Sequence, residues 1–169
     1  MKYTSAEANK LLKALENRIR NIRTKEEKAC SFKVSSTENV EDLRPDYDFA
    51  KVQSEIESLN AKVREVKHAI NVFNVTHTLP GFDKMTIDQA LVLLPQLSEE
   101  VRKLSDMATR LPRERIESFH SVIVDYSIAN YDIEEAEKAY EKARGMLTTL
   151  QLALDKANNT ETMEIDVAL

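Results

Sequence analysis

The sequence is poor in the residues that make turns. It has 169 residues, of which two are glycine and four are proline, well below average usages of about 7% and 5%. Tryptophan is absent, so the core is expected to be mostly aliphatic. Because a fold of many short strands needs a turn after each one, this scarcity favours a few long helices. We predict a single helical domain over residues 1–169.

The chain also lacks what disulfides and membrane spans require. Cys30 is the single cysteine, so no internal disulfide can form, which is typical of a reducing compartment. No run approaches the roughly 18 apolar residues of a membrane-spanning helix, and the first residues do not resemble a secretory signal. We expect a cytoplasmic protein with no membrane partner.

Charge of one sign does not dominate, since the formal net charge is -5 at pH 7. This balance argues against a surface that is wholly a nucleic-acid footprint. Residues 1–29 carry a net charge of +4 and residues 133–169 one of −4, as expected of neighbouring helices with complementary flanks. The alternative is a basic arm, formed by Arg18, Arg20 and Arg23, that binds a nucleic acid.

Apolar residues at alternating steps of four and three predict the helices, because this spacing places them along one side of a helix. Four helices are expected, over 5–28, 46–75, 86–111 and 133–157. In the first, second and fourth the apolar positions are Ala8, Leu12, Leu15, Ile19 and Ile22; Phe49, Val52, Ile56, Leu59, Val63, Val66, Ile70 and Phe73; and Ala136, Tyr140, Ala143, Leu147, Leu150, Leu154 and Ala157. In the third they are Leu91, Leu94, Leu97, Val101, Leu104, Ala108 and Leu111, and Pro95 is expected to kink or divide that helix.

The segments between the helices complete the predicted architecture. Thr4 with Glu7, Thr86 with Gln89 and Asp132 with Glu135 match the capping box that begins a helix. The remaining segments are a connector over 30–45, a strand or loop segment over 112–131 and a short tail strand over 160–169. Short connections favour an all-α antiparallel bundle of long coiled-coil-like helices, with one or two short β-strands at its ends.

The two candidate strands, 121–128 and 163–167, flank the fourth predicted helix. That helix would be about 36 Å long, so we expect that the strands do not pair with each other within one subunit. Unpaired edges attract other strands. The strands therefore predict a homo-oligomer or, alternatively, pairing of the tail with residues 1–3.

Polar residues collect at the end of the predicted bundle that holds the 75–85 loop. Asn and Thr side chains both donate and accept hydrogen bonds, which suits a neutral or mildly anionic ligand. The alternative is that the asparagines cap helices and bridge subunits. The predicted ligand site consists of Lys67, Asn71, Asn74, Thr76, His77, Phe82, Asn158, Asn159 and Thr160.

A second polar cluster is predicted at the opposite end. Arginine guanidinium groups beside aromatic rings fit phosphates and bases, and the alternative is a solvated loop with ordinary charges. The residues of this second patch are Arg44, Tyr47, Arg110, Arg113, Arg115, Tyr126 and Tyr131.

No catalytic or metal centre is predicted. Glu65–His68 and Glu117–His120 have the spacing found in di-iron helical bundles. However, the heptad register directs Glu65 and His68 outward, and the other pair falls in the 112–131 segment. No glycine-rich phosphate loop or nucleophile elbow occurs. We expect neither an enzyme nor a cofactor or metal site.

Two stretches resemble the septicolysin-like bacterial helical-hairpin family. One closes a long helix with Ile70-Asn71-x-x-Asn74-x-Thr76, then has a Pro-Gly turn and a helix start at Thr86. The other is Leu150-Gln151, then Asn158-Asn159-Thr160 and a short apolar tail. The resemblance implies an all-helical, oligomeric protein. The family name implies a cytolysin, but the chain has no membrane-active or disulfide-stabilised element, so we expect the architecture and not that activity.

These features predict a non-enzymatic, self-associating protein whose subunits form a pocket for a small, nucleotide-like ligand. Such a protein would sequester a signal, for example in a conflict between a phage and a bacterium. The alternatives are a structural or adaptor coiled-coil module that binds a protein partner, and the nucleic-acid-binding arm.

Overall fold

The structure, a computed structural model, describes residues 1–82, 84–116 and 124–167. The described residues form mainly helices, as predicted, with a few short strands. In chain order the elements are β1 (Lys2–Thr4), α1 (Ser5–Ala29), α2 (Val40–Leu43), α3 (Phe49–Thr76), α4 (Ile87–Ala108), β2 (Arg113–Ile116), β3 (Asp125–Ile128), α5 (Ile133–Thr160) and β4 (Thr162–Glu164).

Two compact units share these elements. The first comprises Met1–Asn74 and Ala157–Leu169, and the second comprises Val75–Lys156. The first therefore contains α1, α2, most of α3 and the strands β1 and β4. The second contains α4, most of α5 and the strands β2 and β3. A single bundle of long coiled-coil helices is not confirmed, because its four predicted members fall into two units.

In the first unit, α1 and α3 run antiparallel. Arg18 of α1 donates to Glu55 of α3 at 2.9 Å, and Lys67 of α3 donates to Glu16 of α1 at 3.1 Å. Positions later in α3 thus meet positions earlier in α1. Their buried apolar residues are Ala8, Leu11, Leu15 and Ile19 of α1 and Ile56, Leu59, Val66 and Phe73 of α3.

The buried stripe of this unit is narrower than the predicted one, since the predicted Ile22, Val52, Val63 and Ile70 are only half-buried. Leu11 is buried, whereas the predicted Leu12 is only half-buried, because a straight helix with 3.6 residues per turn drifts from a strict 3.5-residue repeat. Phe49 is 65% exposed, since it is the first residue of α3. Among the described residues, the ion pairs of α1 are with α3 and not with the acidic last helix, which was its predicted neighbour.

In the second unit, the helices bury a stripe rich in alanine. Its members are Ile87, Ala90 and Leu97 of α4 and Ala136, Ala143, Leu150 and Leu154 of α5. The buried residues of α5 belong to its predicted stripe, of which Tyr140 and Leu147 are half-buried. Leu91 of α4 is 45% exposed, because the buried face of this helix passes through Ala90 instead. Leu111 is 59% exposed and lies beyond the end of α4 at Ala108. Pro95 lies inside α4 without dividing it.

The tail pairs with the first residues of the chain, which was the alternative prediction for it. In the antiparallel β1–β4 ladder, Tyr3 lies opposite Met163, and the Ile165 amide donates to the Met1 carbonyl at 2.9 Å. Met163, Ile165 and Val167 are buried, while Glu164 between them is exposed. The alternating pattern of the tail therefore describes a real two-faced strand segment.

The second two-stranded sheet is a hairpin of β2 and β3. Arg115 lies opposite Tyr126 in its antiparallel register. β3 matches the later part of the predicted strand 121–128, whose residues 121–123 lie outside the described ones. As predicted, the two candidate strands do not pair with each other: β3 pairs with the charged segment Arg113–Ile116, and β4 pairs with β1. The homo-oligomer stays a prediction.

The predicted caps hold the helix starts. The hydroxyl of Thr4 accepts the Glu7 amide at 3.2 Å, and the Glu7 carboxylate accepts the Thr4 amide at 2.8 Å. Thr86 and Gln89 form the same reciprocal box. Asp132 accepts the amides two and three residues later at 2.8 and 3.4 Å, but the described residues lack the reciprocal bond to the Glu135 carboxylate that the predicted box requires. These side chains satisfy amides that the first helical turn leaves without partners.

Replacing Thr4 tests the first box. We expect Thr4→Ala to lower the free energy of unfolding by about 1 kcal/mol, because the Glu7 amide loses its acceptor, whereas Thr4→Ser retains the hydroxyl. The hydrogen bonds from Thr4 lower the pKa of Glu7. The stability that the ionised Glu7 carboxylate contributes is therefore present at neutral pH and is lost as the pH falls through its lowered pKa. Urea unfolding at neutral and acid pH measures both effects, and equal stability of the Ala and Ser variants would contradict them.

Candidate functional site

The predicted ligand residues of α3 share one side of that helix. Lys67 lies beside Glu16, to which its ammonium group donates at 3.1 Å. Asn71 is exposed and Asn74 is half-buried, and neither side chain has a hydrogen-bond partner among the described residues. The structure therefore leaves two amide groups available next to a lysine whose position is held by an ion pair.

The other predicted members of this site have different surroundings. Asn158, Asn159 and Thr160 form the last turn of α5, not a segment after the helix as predicted. Thr76 and His77 belong to the second unit, where the Thr76 hydroxyl lies 3.2 Å from Nδ1 of His77. Phe82, also in that unit, follows Gly81, whose φ of 86° suits glycine in a tight turn.

Two members of the second predicted patch, Arg44 and Tyr47, lie in the connector before α3 and form hydrogen bonds there. The Arg44 guanidinium forms a bidentate pair with Glu41, at 2.9 and 2.7 Å, and lies 5.7 Å from the centroid of the Phe32 ring. The Tyr47 hydroxyl donates to Glu26 of α1 at 2.8 Å. Both residues therefore have contacts within the first unit, with Arg44 in an exposed pair inside the connector and Tyr47 joining the connector to α1.

The remaining members lie in the second unit, on or near the β2–β3 hairpin. The Arg113 guanidinium stacks on the Tyr126 ring, 3.6 Å from its centroid. Arg115 lies opposite Tyr126 in the ladder, and Arg110 is exposed. The Tyr131 hydroxyl donates to the Met107 carbonyl at 2.9 Å, which joins the start of α5 to the end of α4.

A groove of 540 Å³ runs between α1 and α3 beside Lys67. We call it the arginine groove. This volume is within the range of roughly 300–1,000 Å³ that small-molecule sites occupy. Its lining residues are Glu16, Ile19, Arg20, Arg23, Thr24, Glu27, Asn60, Val63 and Lys67.

The guanidinium groups of Arg20 and Arg23 distinguish the arginine groove. Neither forms an ion pair or a hydrogen bond with another described residue. The Glu16 carboxylate beside them is paired with Lys67, so Glu27 is the remaining acid of the groove. Three cationic and two acidic side chains line it, which favours an anionic occupant.

A second groove, of 530 Å³, is also formed by α1 and α3 and has a different charge balance. Four carboxylates line it, with three cations that include Arg18. Side chains two residues apart in a helix differ by about 200° in direction around its axis, so Arg18 and Arg20 point to different sides of α1. Arg18, Arg20 and Arg23 therefore do not form one basic face, and the nucleic-acid-binding arm stays a prediction.

Metal ligands are not gathered in the described part of the chain. No group of three or more His, Cys, Asp or Glu side chains that could hold an ion occurs there. Glu65 and His68 are exposed, as the heptad register predicted. Glu117 and His120 lie outside the described residues. No helix in the same part of the chain is both long and apolar enough to cross a bilayer.

Comparison with known proteins identifies a shared fold. No protein-family model matches the chain, and no curated protein matches it either. A solved structure of a functionally unknown conserved protein from Corynebacterium diphtheriae is similar, with 18% sequence identity and a TM-score of 0.59. The match covers 97% of this chain and 100% of the other. At this identity the similarity shows the fold alone, and the septicolysin-like resemblance stays a prediction.

The Tyr47 phenol provides a pH-dependent test of the connector. Its hydrogen bond to Glu26, together with burial, raises the pKa of Tyr47 to about 12. The bond stabilises the fold below the ordinary tyrosine pKa of about 10, and this contribution is lost as the pH rises to about 12. We expect Tyr47→Phe to be less stable than wild type at neutral pH, with a difference that disappears in strong alkali.

Urea unfolding over this pH range measures the effect, and absorbance titration of the tyrosines reports the phenol directly. The highest-pH component should be missing from Tyr47→Phe. The control Tyr126→Phe removes an exposed phenol and should retain that component. An unchanged titration curve in Tyr47→Phe, apart from its smaller amplitude, would contradict the assignment.

Proposed function

We propose that this is a non-enzymatic, self-associating helical protein that binds a small anionic, nucleotide-like ligand in the arginine groove. The observation that carries the proposal is the pair of guanidinium groups, on Arg20 and Arg23, that no described carboxylate neutralises. A sequestering protein of this kind would lower the free concentration of its ligand. The exposed free thiol of Cys30 suits a reducing cytoplasm.

The phosphate group of such a ligand fits the α1 side of the groove. Arginine presents a planar fork of donors that binds phosphate in a bidentate manner. Arg20 and Arg23 are three positions apart, so they are neighbours on the surface of one helix. Lys67 adds a third positive charge from α3, held in place by Glu16.

The rest of the ligand fits the α3 side. Successive steps of seven, four and three residues place four polar side chains along one stripe of α3. They are Asn60, Lys67, Asn71 and Asn74. Asparagine amides can donate to and accept from the edges of a base or a sugar. Ile19 and Val63 supply apolar contact in the groove. The predicted Lys67, Asn71 and Asn74 therefore keep their proposed role.

Binding without catalysis suits the chemistry of this lining. The groove contains neither a histidine nor a cysteine, which are the commonest general base and the strongest protein nucleophile. Its Glu16 is occupied by Lys67. These residues hold an anion but offer little to break a bond in it.

A protein-binding adaptor is the second candidate, because apolar side chains are exposed on the second unit. Leu91 and Val92 of α4 are 45% and 58% exposed, and Met146 and Leu152 of α5 are 44% and 65% exposed. Large apolar side chains on a surface are typical of protein interfaces when they are contiguous. The ligand-binding function is preferred since its groove combines shape with unpaired charge.

Thermal unfolding with a panel of nucleoside mono-, di- and triphosphates tests the ligand. A ligand at 100 times its Kd stabilises the fold by about 2.7 kcal/mol, which raises Tm by roughly 5–10 °C for a chain of this size. We expect this shift in wild type and its loss in Arg20→Gln/Arg23→Gln, while the helical signal and Tm without ligand are retained.

Two further variants test which side chains bind the ligand. Arg18→Gln removes an arginine of the same helix that is paired with Glu55, and it should keep the shift. Asn71→Ala/Asn74→Ala should weaken the shift by a nucleotide more than the shift by inorganic phosphate. If no nucleotide moves the Tm of wild type, the ligand-binding function is wrong and the adaptor function is favoured.

A further inference from the structure

In the β2–β3 hairpin, the residue pairs that exchange backbone hydrogen bonds can be told apart from those that do not. The Ala129 amide donates to the Pro112 carbonyl at 3.1 Å, which makes this a hydrogen-bonded pair of the antiparallel ladder. Bonded and non-bonded pairs alternate along such a ladder. Ser127, two residues before Ala129, is therefore bonded to β2. The amides and carbonyls of Tyr126 and Ile128 point away from β2, along the outer edge of β3.

No other strand covers this outer edge among the described residues, since β2 and β3 form a sheet of two strands. The side chains on the edge are also accessible, because Ile128 is 68% exposed and Tyr126 is 44% exposed. Unpaired backbone groups beside exposed apolar side chains are a template for another strand. The nearest candidate for that strand is the same segment of a second copy of the chain.

The charges of the two edges favour β3 over β2. Two copies can pair in an antiparallel manner about a two-fold axis normal to the sheet. A given residue then lies on the same face of the sheet in both copies. Since side chains alternate between faces, a residue of one copy can lie opposite only a residue of the other copy whose number is the same or differs by an even number. Pairing through β2 would place Arg113 opposite Arg115 of the second copy, or Arg115 opposite itself, and like charges directly opposite are unfavourable. Pairing through β3 meets no such pair.

We propose that two copies of the protein pair through the outer edges of β3, giving a four-stranded sheet in the order β2, β3, β3, β2. This assigns an interface to the self-association in the proposed function and rests on it. Tyr126 of each copy lies opposite Ile128 of the other and exchanges both backbone hydrogen bonds with it. Aromatic and β-branched residues form favourable cross-strand pairs. Ser127 meets its own counterpart.

The arginines of the hairpin are compatible with this sheet. Arg113 stacks on the Tyr126 ring of its own chain at 3.6 Å, which fixes the ring before the second copy arrives. The two β2 strands are separated by both β3 strands, or roughly 14 Å. This distance exceeds the screening length of about 8 Å at physiological salt. Repulsion between the arginines of the two copies is therefore small.

Cysteine cross-linking tests the register. The Cα atoms of a non-hydrogen-bonded pair are about 4.5 Å apart, within the range that a disulfide spans. Cys30 is exposed and is first replaced in Cys30→Ser. In that background we expect Ser127→Cys to form a disulfide-linked dimer under oxidised glutathione, on a non-reducing gel. The matched variant Glu114→Cys, on the opposing strand, should remain a single chain.

Sedimentation from low to high micromolar concentration tests the interface without a cross-link. We expect a wild-type dimer that Ile128→Lys weakens by about tenfold or more, because the lysine replaces the apolar partner of Tyr126. Ile116→Lys is the matched control, since Ile116 is also an exposed hairpin isoleucine, at 50%. It should dimerise as wild type does, and both variants should keep the wild-type helical signal.

The outcomes separate the interface from the proposed function. If wild type associates but Ile128→Lys associates equally, or if Ser127→Cys links no better than Glu114→Cys, this interface is wrong and self-association stands. A wild type that stays monomeric at tens of micromolar overturns both. The nucleotide-induced shift is measured independently of either result, so ligand binding is judged separately.

Discussion

The antiparallel packing of α1 against α3 is the constraint on which the first unit depends. Apolar side chains from both helices share one buried stripe, and moving one helix by a single turn, about 5.4 Å, would separate Glu16 from Lys67 and Arg18 from Glu55. Burial of Ile19, which is 7% exposed, orients its neighbour Arg20 to the flank of the pair. The arginine groove is therefore a consequence of the helix register.

Much of the helical architecture could be predicted from sequence, because the relevant signals are local. Apolar spacing placed the long helices to within about three residues at most ends, and the Thr4 and Thr86 boxes marked two starts. The burial of Leu11 instead of the predicted Leu12 could not be predicted without knowing where the partner helix packs. The division into two units could not be predicted, since apolar stripes show that a helix has a partner but not which helix it is.

The hairpin shows a different limit of sequence patterns. β2 reads Arg-Glu-Arg-Ile and all four residues are exposed, so it has no alternation of apolar and polar side chains to detect. Its pairing with β3 comes from backbone hydrogen bonds, which any sequence can form. The sequence therefore did not reveal that one of the two edges of β3 is paired with the nearby strand β2.

The candidate site was partly predictable. Lys67, Asn71 and Asn74 were placed by helical spacing, which a sequence displays directly. Arg18, Arg20 and Arg23 appear equivalent in the sequence, yet Arg18 faces Glu55 across the helix pair while the others line the groove. Whether a charge is neutralised depends on the opposing helix, and that information is absent from local patterns. The same applies to Tyr47, whose hydroxyl is bound by Glu26.

The β1–β4 ladder has a consequence for synthesis on the ribosome. Its closing hydrogen bonds join Met1 and Ile165, which are 164 positions apart. At roughly 5–20 residues per second, β1 waits about 10–30 s for its partner strand to be made. During that interval the Thr4 cap, which uses neighbours only three positions away, can hold the start of α1. Local contacts can thus cap the start of α1 before the adjoining β1–β4 sheet forms.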